Sequence, residues 1–349
     1  VHKIPVTVIT GFLGAGKTTL VRQLLQENHG RRIAVLVNEF GEVGIDGELL
    51  RDCQICDDDT VAPSASDRPD IVELANGCLC CTVQEEFLPT MQELLKRREQ
   101  LDCILIETSG LALPKPLVQA FRWPEIRTGA TVDGVVTVVD GAALSEGRIV
   151  GDLEALQAQR QADDSLEHET PIEELFEDQL ACADIILLTK ADLLSADQRD
   201  RVLGWLKQEI PAGVKIVPCQ QGQISPNVLL GFNAAVEDNL EQRPSHHDYE
   251  EEHEHDDQIT SVCVDIPQAF DPKALVTRLQ RLIEHHDIYR IKGFVTVPNK
   301  KMRLVLQGVG SRFDYFYDRP WQVDERRATR LVFIGDNLDA ATIHQAIAG

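Results

Sequence analysis

Residues Gly11 to Thr18 read GFLGAGKT and satisfy G-x-x-x-x-G-K-[ST]. Those residue types at that spacing suit the cradling of a phosphate chain. Gly11, Gly14 and Gly16 let the backbone wrap an anion with its N–H groups turned inward. Ala15 and Thr19 belong to the same set of candidate nucleotide contacts. Lys17 would bridge the outer phosphates, and Thr18 would set its hydroxyl on Mg2+. Glu107-Thr108-Ser109-Gly110 adds an acidic group for the Mg2+ end and, at Gly110, an N–H for the terminal phosphate. Lys17 and Glu107 are therefore the side chains expected to act at the reacting phosphate.

Two further groups carry chemistry. Thr189-Lys190-Ala191-Asp192 stands where guanine-binding proteins carry N-K-x-D. There the aspartate accepts hydrogen bonds from guanine N1–H and its exocyclic amine, which adenine cannot supply. Threonine takes the place of the usual asparagine. Cys78, Cys80 and Cys81 put three thiols within four residues, just after the turn signal Asn76-Gly77. Such thiolates suit Zn2+ or Co2+. A fourth ligand would be water, Glu39, Glu42 or a histidine. Cys53 and Cys56 form an isolated C-x-x-C, a weaker signal.

These groups need a frame. The run Pro5–Thr10 precedes the glycine loop as a strand, and apolar residues at helical spacing follow it. Further strands are predicted at Arg32–Val37, Asp70–Leu74, Cys103–Glu107, Val132–Val139, Ile185–Thr189 and Val214–Pro218. Helical patterns lie at Gln84–Arg98, Ile172–Cys182 and Ala196–Glu209. Alternation of this kind implies an α/β fold with a mostly parallel sheet, and ligands collect at the carboxyl ends of its strands. Asn38-Glu39-Phe40-Gly41-Glu42 and Asp46 would form a loop near the terminal phosphate. Glu39, Glu42 and Asp46 are candidates for activating water. Gly151–Glu169 reads as a surface helix or an insertion.

The tract 243–258 mixes His246, His247, His253 and His255 with seven acidic residues and reads as a solvated linker. It separates residues 1–242 from a small α+β domain at 259–349 with an antiparallel sheet. Strands are expected there at Thr260–Ile266, Tyr289–Val297, Met302–Val309 and Arg330–Ile334. Helices are expected over Ala274–Ile283, capped by Asp271-Pro272, and over Leu338–Ile347.

The net charge of −23 argues against nucleic acid or an anionic membrane as the main partner. No apolar stretch is long enough to span a bilayer. No signal-peptide pattern precedes the first strand, so a reducing cytoplasm is the expected compartment, and clustered thiols read as metal or redox groups before disulfides.

Together GFLGAGKT, NEFGEVGIDG, ELANGCLCC, ETSGLALPKP, TKAD, RIKGF and LVFIG resemble the CobW-type metallochaperone GTPases along nearly the whole chain. Within that family the wording is nearer the cobalamin-biosynthesis members than the zinc-handling ones. The resemblance implies GTP hydrolysis with Mg2+, a Co2+ (or Zn2+) site on Cys78, Cys80 and Cys81, and delivery to a cobaltochelatase or another metal-accepting protein. It places the phosphates on Gly11 to Thr18, the Mg2+ end on Glu107 and the base on Asp192. Two other function classes fit the residues: a small-metabolite phosphotransferase with structural cysteines, and a metal-storage or sensing module that does not turn nucleotide over.

Overall fold

The computed structural model describes residues 3–26, 31–37, 70–73, 87–162, 171–230, 259–322 and 325–348, with backbone alone for 70–73 and 159–162. Cys78, Cys80 and Cys81, the loop from Asn38 to Asp46, Cys53 and Cys56, and the tract 243–258 lie outside the described residues. The chain divides into two compact units, Val1–Gly231 and Phe232–Gly349.

Seven strands build the sheet of the first unit: β1 (Ile4–Thr10), β2 (Ile33–Val37), β3 (Asp70–Glu73), β4 (Cys103–Glu107), β5 (Ala130–Asp140), β6 (Ile185–Thr189) and β7 (Lys215–Pro218). Their order is β3-β2-β4-β1-β5-β6-β7, and every pairing is parallel. All seven residues of β1 are buried, as are all five of β2, β4 and β6. A strand covered on both faces needs apolar residues at successive positions, which is why continuous runs mark it in the sequence.

Eight helices accompany these strands among the described residues: α1 (Lys17–Gln26), α2 (Leu88–Lys96), α3 (Pro114–Ala120), α4 (Gly141–Ser145), α5 (Leu153–Ala162), α6 (Ile172–Ala181), α7 (Ala196–Glu209) and α8 (Pro226–Leu229). Two apolar cores form. One packs Phe87, Met91 and Leu117 on Val6, Val8 and Ile104. The other packs Leu175, Phe176, Leu180, Val202 and Leu206 on Val139, Ile186 and Leu188. Burial of each such side chain favours folding by about 1.5–3 kcal/mol. Gly151–Glu169 does begin with a helix, α5. The start of α7 is fixed by a capping box, in which Ser195 Oγ accepts from Gln198 N–H and Gln198 Oε1 accepts from Ser195 N–H.

The second unit is a five-stranded antiparallel sheet with order β11-β10-β9-β12-β8. Its strands are β8 (Ile259–Ile266), β9 (Ile288–Val295), β10 (Met302–Val309), β11 (Arg312–Pro320) and β12 (Thr329–Asp336). Helices α9 (Pro272–His285) and α10 (Ala340–Ala348) bury Leu275, Leu279, Ile283, Ile343 and Ile347 against one face. Asp271 caps α9 by accepting from the N–H groups of Lys273 and Ala274, with Pro272 at the first helical position. On the sheet, Arg303 is buried with its guanidinium 3.6 Å from the centroid of Phe294. It binds Asp318 at 2.6 Å and Glu325 at 3.0 Å. Strand β11 was not expected. It is a sheet edge, none of its residues is buried, and it lacks the two-residue alternation that marked its neighbours. Among the described residues no helix is long and apolar enough to cross a membrane.

Candidate functional site

Strand β1 lies between β4 and β5, so the loop leaving its carboxyl end meets theirs. Ile9 is level with Glu107, and Thr10 with Thr137. The glycine loop then packs backbone on backbone. A Cβ at Gly11, where φ is +134°, would lie 2.2 Å from the carbonyl oxygen of Val138. A Cβ at Gly110 would lie 2.6 Å from the nitrogen of Leu13. Neither position admits a side chain without moving the loop.

Two clusters result. At the first, Thr18 Oγ1 donates to Glu107 Oε1 at 2.7 Å, and Glu107 is 3% exposed. A hydroxyl and a carboxylate are hard oxygen donors. Mg2+ takes one or two such protein ligands and fills its other positions with phosphate and water, so this pair fits it. Lys17 is buried and donates to the Phe12 carbonyl at 3.0 Å, which holds the ammonium across the loop. Thr108 donates its hydroxyl to Thr10 Oγ1 at 3.0 Å and its N–H to Ile9 O at 2.9 Å. Ser109 Oγ is buried with no hydrogen-bond partner among the described residues.

The second cluster joins the carboxyl ends of β5 and β6, where Asp140 is level with Thr189. Thr189 Oγ1 lies 2.7 Å from the Ala15 carbonyl and 3.0 Å from that of Val139. Lys190 adopts a left-handed conformation with φ of 55°. Its Nζ donates to the Gly14 carbonyl at 3.1 Å and to Asp140 Oδ2 at 2.6 Å. Consecutive residues at the end of β6, Thr189 and Lys190, thus hold consecutive carbonyls of the glycine loop. A trans peptide points its N–H opposite to its carbonyl, so fixing Ala15 O turns the N–H of Gly16 the other way. Asp192 is exposed in a short 3-10 turn, Ala191–Leu193, and Thr19 is exposed in the first turn of α1.

The structure therefore brings Gly11, Gly14, Ala15, Gly16, Lys17, Thr18, Thr19, Glu107, Gly110, Thr189, Lys190 and Asp192 to one end of the sheet. Cys78, Cys80 and Cys81 fall outside the described residues. Among the described residues no group of three or more His, Cys, Asp or Glu side chains is placed to hold a metal ion.

Residues 5–218 match the CobW/HypB/UreG nucleotide-binding domain, and residues 259–349 match the cobalamin synthesis protein cobW C-terminal domain. The chain belongs to the CobW family. It is 56% identical to the zinc chaperone CobW of Pseudomonas aeruginosa over 98% of this chain and 90% of that one. It is 48% identical to the zinc chaperone CobW of a Sinorhizobium species, over 99% and 96%. It is 31% identical to the zinc chaperone YjiA of Escherichia coli K12, over 100% and 99%. The fold of this CobW-family chain is that of a P-loop GTPase with an antiparallel C-terminal domain.

Two residues of this site escaped the sequence reading. Asp140 ends β5, is 4% exposed, pairs with Lys190 and caps α4 by accepting from Ala143 N–H at 3.1 Å. Gln179 is fully buried on α6 beside Leu175, Phe176 and Leu180. A glutamine inside an apolar helical stripe was the available signal, because a buried amide needs partners.

Proposed function

We propose that this CobW-family chain hydrolyses GTP to GDP and phosphate and uses that cycle to hold and release a divalent metal. The observation that carries the enzymatic part is the 2.7 Å contact between Thr18 and Glu107 at the mouth of the glycine loop. Loop N–H groups and Lys17 would bind the phosphates, Gly110 would meet the terminal one, and Asp192 would select guanine. Bound Mg2+ would neutralise charge developing on the β- and γ-oxygens. Lys17 would act on the same oxygens, while Thr18 and Glu107 would hold Mg2+ in place. Thr189 and Lys190 would fix the loop before substrate arrives, so the donors need not reorganise during reaction. Intrinsic turnover is expected to be slow, since the sequence motifs supply no arginine finger or water-orienting glutamine.

Cys78, Cys80 and Cys81 would bind the metal as thiolates when Mg2+-GTP orders the loop from Asn38 to Asp46. Zinc is the cargo the designations of the relatives support. Cobalt delivery to a cobaltochelatase is the second reading, supported by the sequence wording shared with the cobalamin-biosynthesis members. Either cargo would be passed to a metal-accepting protein in the cytoplasm. Moving occupancy from nearly full to nearly empty needs affinities that differ about 10^4-fold between nucleotide states, or about 5.5 kcal/mol.

The test is a titration of Zn2+ and Co2+ against competing chelators with Mg2+-GTP, with Mg2+-GDP and without nucleotide. The expected result is tight binding with GTP alone, lost in Cys80→Ala and Cys81→Ala. Equal affinity in all three states would sink the carrier cycle.

A further inference from the structure

Gln179 sits one helical turn past Phe176 on the inner face of α6. Its Nε2 donates to the carbonyl of Gly110 at 3.3 Å and to that of Ala112 at 3.2 Å, reaching 69 and 67 residues back along the chain. Both neighbours are acceptors, so the amide has one usable orientation. The reverse would set Oε1 against two carbonyl oxygens. The backbone of Gln179 is itself fixed, because its carbonyl accepts from Thr137 Oγ1 at 2.9 Å. Phe176 packs on Phe12 of the glycine loop with ring centroids 5.8 Å apart. One helix therefore braces both the phosphate loop and the turn after β4.

That turn is short and held at each peptide. Ser109 O accepts from Ala112 N–H at 3.1 Å, and Gly110 O accepts from Gln179. Since carbonyl and N–H oppose each other in a trans peptide, these bonds aim the N–H groups of Gly110 and Leu111 away from their partners. The front of the same turn abuts Leu13, so it has little room to shift.

We propose that Gln179 is a positioning residue for the terminal phosphate, holding the Ser109–Ala112 turn in the setting that distinguishes a nucleoside triphosphate from a diphosphate. This rests on the functional reading that Gly110 meets the terminal phosphate. Gln179 touches no phosphate. It acts through the turn.

The experiment compares full-length wild type, Gln179→Met and Gln179→Glu with Mg2+ for affinity toward GDP and a non-hydrolysable GTP analogue, together with kcat and KM for GTP. Met fills the volume without a donor, and a glutamate carboxylate turns the donor into an acceptor. The expected result is GDP affinity within about twofold of wild type, triphosphate affinity lowered about tenfold, and a fall in kcat, consistent with two buried hydrogen bonds of ordinary strength. Equal weakening of both nucleotides, unchanged triphosphate affinity, or loss of cooperative unfolding in both variants would overturn the assignment. Wild type that fails to bind GTP would overturn the functional reading itself, and the assignment with it, so the two failures are distinguishable.

Discussion

The two sheets place their buried basic groups differently. In the parallel sheet Thr10, Lys17, Glu107, Thr108, Ser109, Asp140 and Thr189 are buried at or just beyond carboxyl ends of strands. In the antiparallel sheet Arg290, Lys292 and Arg303 are buried within strands. Arg303 is enclosed by Asp318, Glu325 and the Phe294 ring. A charge answered on all sides by its own chain is costly to remove because its partners are left uncompensated, whereas donors and acceptors gathered at a strand-end rim can be turned toward a ligand.

The sharpest way to break that contrast is to remove one cation from each sheet. Lys17→Ala should lower GTP and GDP affinity at least about 100-fold, as expected for the loss of charge-assisted hydrogen bonds to phosphate. Stability should barely change, which calorimetric titration beside a urea melt would check. Arg303→Met should do the reverse. It leaves Asp318 and Glu325 without their shared partner and should cost about 3 kcal/mol in the second unit. Hydrogen exchange in β9 and β10 would report that loss, with nucleotide affinity unchanged. Weaker nucleotide binding in Arg303→Met would mean that the second unit is not merely scaffold.

A smaller effect tests the Lys190 side of the rim. Asp140→Ala removes the ion pair to Lys190 and the cap of α4. The cap alone is worth about 1 kcal/mol. Affinity for GTP and GDP should fall together, by about tenfold. Joint loss here and selective triphosphate loss at Gln179 would separate the two ends of the nucleotide site.

Acid provides the gentlest test. Burial pushes the Glu325 carboxyl up, but hydrogen bonds from Arg319 and Gln322 N–H and the charges of Arg319 and Arg303 outweigh it and hold it below the usual carboxylate range. Burial likewise raises Asp102, and Arg32 outweighs it. A carboxylate with a depressed folded pKa stabilises above its unfolded value and loses that contribution as pH falls through the folded one. Both units should therefore weaken below about pH 4. The Arg32–Asp102 pair is partly exposed, so Asp102→Asn should change stability by about 1 kcal/mol or less. A pH series of urea midpoints, repeated with Glu325→Gln, would check this.

Much of the frame was legible because buried parallel strands leave uninterrupted apolar runs. The runs Cys103–Glu107 and Ile185–Thr189 coincide with β4 and β6. Strand β11 was hidden because an uncovered edge needs no apolar alternation. Helix α3 opens Pro-Lys-Pro and is too short to show a period. At the site, the glycine loop was readable because its geometry demands particular residues at particular spacings. Thr189 looked like a missing asparagine. The structure instead sets its hydroxyl between the Ala15 carbonyl of the loop and the Val139 carbonyl of β5. Gln179 and Asp140 stayed hidden because their partners, two main-chain carbonyls and one lysine, lie 50 or more residues away in sequence.

Because all seven strands of the first sheet run the same way, the glycine loop and the turns after β4 and β6 share one rim, and the turns that enter the strands lie at the other. Pro211 and Ala212 are exposed in the turn that enters β7, at that opposite rim. A fluorophore attached at Ala212 would report tumbling or partner capture from the end of the sheet opposite the glycine loop, which offers a tracer for handover experiments in which labelled and unlabelled proteins should behave alike.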